Sequence, residues 1–178
     1  MNTGVVVLNG GSSAGKSTIA NALQTLLSEP WLTLGVDNLI DALGPAGTES
    51  SSLITLSPDG RVSVDERFRQ VEGAWFQGLA AIARSGTGVI IDEVFLGGGA
   101  SQSRLSSALT DCSVLWVGVR CDPDIASLRE ESRADRVRGM ARTQSSIVHE
   151  GVSYDIEVDT SVMSGLECAR IILQRMDL

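Results

Sequence analysis

Short apolar runs and helical stripes alternate along the whole chain. Val5-Val6-Val7-Leu8 and the segments 31–36, 88–91, 114–119 and 154–158 are rich in β-branched and aromatic residues. Runs this short and this continuously apolar predict strands buried on both faces. The segment 17–27 instead places Ile19, Leu23, Leu26 and Leu27 on one stripe of a helix. Further helices are predicted over 38–43, 65–84, 101–109, 123–147 and 162–176, with Asp122-Pro123 supplying a cap and a first-turn proline for the helix 123–147. Strands separated by helices require right-handed crossovers. The predicted architecture is therefore α/β, a three-layer α/β/α arrangement around a five-stranded parallel sheet. Residues 44–64 break the rhythm: the stretch is too long and too rich in Gly, Pro and Ser for a connector. It reads as a surface excursion, a small hairpin, or a flap over an acceptor site.

Composition narrows the class. At 178 residues the chain is expected to form one domain, 1–178. A net charge of −8 argues against a broad nucleic-acid surface, which needs clustered cations. Cys112, Cys121 and Cys168 form no C-x-x-C pair, so neither a disulfide scaffold nor a zinc site is expected. The N-terminal apolar run is too short for a signal peptide or membrane helix, so the expectation is a soluble, cytoplasmic protein with no membrane or nucleic-acid partner. The sequence leaves a homo-oligomer open.

The chemistry begins at Gly10-Gly11-Ser12-Ser13-Ala14-Gly15-Lys16-Ser17, which matches the phosphate-binding pattern G-x-x-x-x-G-K-[ST] between a predicted strand and a predicted helix. Glycines there let backbone N–H groups turn around a chain of phosphates, and the helix N-terminus adds its positive dipole end. Residues 10–18, Thr18 included, are the expected nucleotide site. Lys16, the only lysine in the chain, would reach the β- and γ-phosphates of ATP or another nucleoside triphosphate, and Ser17 would ligate Mg²⁺.

Ligands of open α/β sheets bind beyond the carboxyl ends of the strands. That rule selects Asp37 after the second strand and Asp92 after the third. Asp37 is the candidate base for an attacking hydroxyl, or else a cap for the helix that follows. Asp92 ends a hydrophobic run as a Walker-B acid does, and would hold Mg²⁺ or the acceptor hydroxyl. Glu93 is an acid placed to activate water in an ATPase, or simply to contact substrate. Residues 129–142 carry five of the thirteen arginines, and Arg129, Arg133 and Arg136 share one helical face. That face reads as a lid over the phosphates, or as a solvated helix paired to Glu130, Glu131 and Asp135. His149, the sole histidine, reads as structural. Phe68, Val71 and Trp75 follow helical spacing and, with Val36, Asp37 and Phe95, would line an acceptor pocket.

Several blocks carry a resemblance beyond the phosphate loop: Leu8 to Ser17, Gly35-Val36-Asp37, Glu72-Gly73-Ala74-Trp75, Ile90-Ile91-Asp92, Val94 to Gly98, Leu115 to Cys121, Asp135-Arg136-Val137 and Val148 to Val152. Together they resemble the chloramphenicol phosphotransferase family over nearly the whole chain. The resemblance implies a P-loop kinase fold similar to nucleoside monophosphate and shikimate kinases. It also implies transfer of the ATP γ-phosphate to a hydroxyl of an antibiotic, such as the primary 3-hydroxyl of chloramphenicol, giving resistance. Under it, Asp37 takes the role of base, Asp92 that of supporting carboxylate, and Arg133 and Arg136 contact the phosphates. Agreement is weakest over 44–64 and at Glu93 and Gly97 to Ala100, the stretches expected to border the acceptor. A resistance kinase for another hydroxyl-bearing natural product, such as a nucleoside antibiotic, is therefore an alternative, and a P-loop ATPase or nucleotide-binding regulator is a further one. A signalling GTPase is disfavoured, because its N-K-x-D motif needs a second lysine.

Overall fold

The computed structural model describes residues 3–44, 53–57, 61–132 and 139–176. In chain order the elements are β1 (Val5–Asn9), α1 (Lys16–Leu26), β2 (Trp31–Gly35), α2 (Val36–Leu43), β3 (Ile54–Leu56), β4 (Val62–Val64), α3 (Glu66–Arg84), β5 (Gly88–Glu93), α4 (Gly99–Ala108), β6 (Val114–Arg120), α5 (Pro123–Glu131), α6 (Met140–Ile147), β7 (Ile156–Asp159) and α7 (Gly165–Arg175). Five strands form one parallel sheet in the order β2-β5-β1-β6-β7, and β3 and β4 form a separate antiparallel pair. The expected five-stranded parallel sheet with helices on both faces is what the chain builds.

The pleat divides the apolar residues between two cores. Val6, Leu8, Ile90, Val117 and Val158 pack with Ile19, Leu23, Ala169 and Ile172 from α1 and α7. Val5, Val7, Val89 and Ile91 pack with Phe76, Leu79 and Leu105 from α3 and α4. This explains why the strands show no polar alternation: neither face meets water. Each fully buried Leu or Ile contributes about 1.5–3 kcal/mol relative to exposure. A third cluster of Leu39, Leu53 and Phe68 joins α2 and the start of α3 beside the hairpin, with Ile54 and Val64 against it.

Two expectations are corrected. The predicted helix 123–147 is two helices, α5 and α6. Glu130, expected on a solvated face, is buried, and its carboxylate accepts hydrogen bonds from Gly139 N at 2.7 Å and Ala141 N at 2.8 Å. It thereby fills the open N–H groups at the start of α6, which a continuous helix would have paired internally. The last strand begins at Ile156, not at 154. Tyr154 stands outside it, with its hydroxyl turned to the end of β1. Within 44–64, the hairpin is present, closed by Ser57 N donating to Arg61 O at 2.8 Å; residues 45–52 and 58–60 lie outside the described residues.

Candidate active site

The carboxyl ends of β1, β2 and β5 open into a cleft of about 1490 Å³. The phosphate loop forms its floor. Gly15, with φ 89, caps α1 in a left-handed conformation that a side chain would strain. No acidic residue occupies the first turn of α1, so its positive dipole end is left for an anion. Lys16 is only 7 % exposed; its Nζ donates to Gly10 O at 3.0 Å and Gly11 O at 3.1 Å, and lies 3.6 Å from Asp92 Oδ1. Ser17 Oγ donates to Asp92 Oδ2 at 2.9 Å. A hydroxyl and a carboxylate thus converge beside the ammonium. Such oxygen donors fit Mg²⁺, which takes few protein ligands and completes its shell with phosphates and water.

A second wall rises from the other end of the sheet. Thr160, just past β7, donates from Oγ1 to Ala14 O at 2.8 Å and accepts from Arg129 Nη1 at 3.0 Å. Arg129 Nη2 also donates to Thr160 O at 2.8 Å, so this arginine is bound to the loop support. Gln144 on α6 is buried, and its Oε1 accepts from Ser12 N at 2.8 Å. Arg133 and Arg136 lie outside the described residues.

The β2 end is built by close approach. Gly35 pairs with Asp92 across β2 and β5, and a Cβ at Gly35 would sit 2.0 Å from the Asp92 carbonyl oxygen. Only glycine lets the two strand ends come this near. Gly35 is also the cap residue of α2, its N–H donating to Asn38 Oδ1 at 2.9 Å. Asn38, not Asp37, therefore makes the cap. Asp37 lies in the first turn of α2, exposed and lining the cleft.

Beyond Asp37 the cleft becomes apolar. Val36, Ile40, Ile54, Phe68, Phe76 and Phe95 line it. Val71 and Trp75, expected here, do not; they pack against the Leu39–Leu53–Phe68 cluster. Their helical spacing from Phe68 marked a core stripe, and only one end of that stripe reaches the cavity. At the far end sits a polar group the sequence analysis did not assemble. Glu72 takes Arg69 Nη1 at 2.8 Å and Arg104 Nε at 3.0 Å, and Arg104 Nη2 donates to Ser101 Oγ at 3.1 Å. Glu93 is buried beside it, and burial, reinforced by the Glu72 and Asp92 carboxylates, pushes its pKa up to about 8.

One side chain ties the parts together. Asn9, at the end of β1, accepts from Phe95 N at 2.9 Å and donates to Val148 O at 2.7 Å and Tyr154 Oη at 2.6 Å. The Tyr154 hydroxyl, which accepts from Asn9, also shares a hydrogen bond with His149 Nδ1, 2.6 Å away. The His149 ring is neutral at pH 7. Burial, with Arg120 adding repulsion, lowers its pKa to about 4. The sign follows: the unfolded ring titrates near 6.5 and the folded ring near 4, so unfolding takes up a proton between those values. Stability from this ring is complete above pH 6.5 and falls as pH drops toward 4. Denaturant unfolding at pH 7 and pH 5 should show wild type losing about 1 kcal/mol more than a His149→Gln variant, allowing for solvent screening of a half-buried group. Equal losses would remove His149 from the acid response.

Among the described residues, no helix is long and apolar enough to cross a membrane. The chain matches the profile of the chloramphenicol phosphotransferase-like proteins over residues 3–177. Two proteins from Mycobacterium tuberculosis strains CDC 1551 / Oshkosh and ATCC 25618 / H37Rv, named as candidate O-phosphotransferases, are 32% identical over 184 residues, covering 93% of this chain and 79% of theirs. An unliganded sugar kinase from Janibacter sp. HTCC2649 superposes with a TM-score of 0.70 at 18% identity, covering 97% of this chain and 93% of that one. Shikimate kinase from Acinetobacter baumannii, in complex with shikimate, superposes with a TM-score of 0.61 at 16% identity, covering 97% and 92%. With the phosphate loop at the floor of the cleft and these matches along its length, the chain belongs to the chloramphenicol phosphotransferase-like family and is a P-loop kinase that phosphorylates a hydroxyl acceptor.

Proposed function

We propose that this kinase transfers the γ-phosphate of ATP to the primary 3-hydroxyl of chloramphenicol, and so confers resistance in the cytoplasm. The observation that carries the reading is the pairing of Gly35 with Asp92, which brings the Asp37 turn beside the phosphate loop, within a chain matched by the family over 3–177. Asp37 takes the acceptor hydroxyl proton as the oxygen attacks the γ-phosphorus; the bond to the β-phosphate oxygen breaks and ADP leaves. Lys16 offsets the charge on the transferring group from within the loop. Ser17 and Asp92 would hold Mg²⁺, which would supply charge neutralisation at the phosphates when bound.

A second reading, another hydroxyl-bearing natural product such as a nucleoside antibiotic, draws support from the Arg69–Glu72–Glu93 group, which makes the far end of the acceptor half strongly polar. The ATPase reading draws less: Asp92 faces Lys16 and Ser17 of α1, whereas Glu93 belongs to the opposite face of β5. Incubating the protein with ATP and a panel of hydroxyl-bearing antibiotics, with mass detection of the phosphorylated product, tests all three. Phosphorylation of chloramphenicol is expected. Nucleotide consumption independent of any acceptor would overturn the kinase reading.

A further inference from the structure

A buried carboxyl oxygen left without a partner is costly to keep, and Glu93 has one, although a backbone hydrogen bond from Val94 engages the group. It is 5 % exposed, and its Oε1 has no hydrogen-bond partner among the described residues. The groups nearest to it in the polar cluster are already engaged. Glu72 is held by Arg69 and Arg104, and Ser101 Oγ accepts from Arg104 and from Gly97 N. Glu93 nonetheless lines the cleft, together with Phe68, Phe76 and Phe95. The alternation of β5 sends Asp92 to the α1 face with the phosphate loop and Glu93 to the α3–α4 face with the apolar walls.

We propose that Glu93 is a specificity-determining residue of the acceptor half: its carboxyl takes a second hydrogen-bonding group of the acceptor, a hydroxyl or an amide N–H, remote from the hydroxyl that is phosphorylated. This deepens the proposed function and rests on the apolar half of the cleft being the acceptor site. An unsatisfied polar group lined up in an apolar pocket rejects ligands that cannot pair with it, which is how a site reads one polar group on an otherwise hydrophobic molecule. The Glu72 network fixes the floor beneath it, so the recognition geometry is set before binding.

The test uses the full chain as wild type, Glu93→Gln and Glu93→Met, with ATP and chloramphenicol as probes, and with chloramphenicol analogues lacking in turn the secondary hydroxyl and the amide N–H. Glu93→Met should raise the chloramphenicol KM about tenfold or more, leave the ATP KM within about twofold, and abolish the discrimination that wild type shows against one of the analogues. Glu93→Gln, which keeps a donor and an acceptor, should stay within about threefold of wild type. Thermal unfolding separates recognition from support: removing a buried carboxyl with one unpaired oxygen should raise Tm by about 2–4 °C in Glu93→Met. A lowered Tm with an unchanged acceptor KM would make Glu93 structural and overturn the proposal. If another antibiotic in the panel is the one phosphorylated, the same variants are run on it, and an unchanged KM there sinks Glu93 alone. Phosphorylation of no hydroxyl at all would sink the acceptor reading and Glu93 with it.

Discussion

Asp37→Asn is expected to lower kcat by about 100- to 10,000-fold while nucleotide affinity stays within about twofold. The side chain lies in the first turn of α2 on the cleft wall and is not part of the loop that holds the phosphates. The amide keeps the size and polarity of the carboxylate and loses only the capacity to take the hydroxyl proton. A fall confined to kcat, with acceptor and nucleotide KM little changed, is the signature of an interaction made in the transition state. Steady-state kinetics with the acceptor, paired with calorimetric nucleotide binding, gives both numbers. An unchanged kcat would take the base role from Asp37. It would not restore a capping role, because Asn38 already accepts from Gly35 N.

Lys16→Met should differ in kind. Nucleotide KM should rise and kcat fall together, for a combined loss in kcat/KM of about 100- to 1,000-fold. The ammonium is anchored by the Gly10 and Gly11 carbonyls and set against Asp92, so its position is fixed before the nucleotide arrives. Arginine should not rescue it: a planar guanidinium cannot sit in a notch shaped for a compact ammonium. Retention of full nucleotide affinity in the methionine variant would contradict the geometry. Read side by side, the two variants separate phosphate holding from proton removal.

The fold was open to reading because its strands are short, β-branched and buried on both faces, so periodicity reported them directly. The phosphate loop was open for a similar reason, since its motif is contiguous. Relations across distant segments were not. Gln144 binding Ser12 N, and Thr160 joining Ala14 to Arg129, unite residues whose own neighbourhoods resemble ordinary helix and strand end. Glu130 misled because a Glu among arginines on a helix usually pairs outward; here it turns inward to start α6. Val71 and Trp75 show the limit of a stripe, which gives the buried side of a helix but not which turn meets the cavity. The Glu72 and Glu93 cluster was hidden because it joins three elements, α3, α4 and β5, none of which signals it alone.

The alternation of β5 has a further reach. On the proposed reading, phosphate handling is gathered on one side of a single strand and contact with the acceptor on the other, with adjacent residues, Asp92 and Glu93, as the dividing line. Descendants of such a chain are free to exchange the walls that greet a new acceptor, hairpin and α3 included, without disturbing the machinery that delivers the phosphate. A kinase divided this way can change its acceptor while keeping its chemistry.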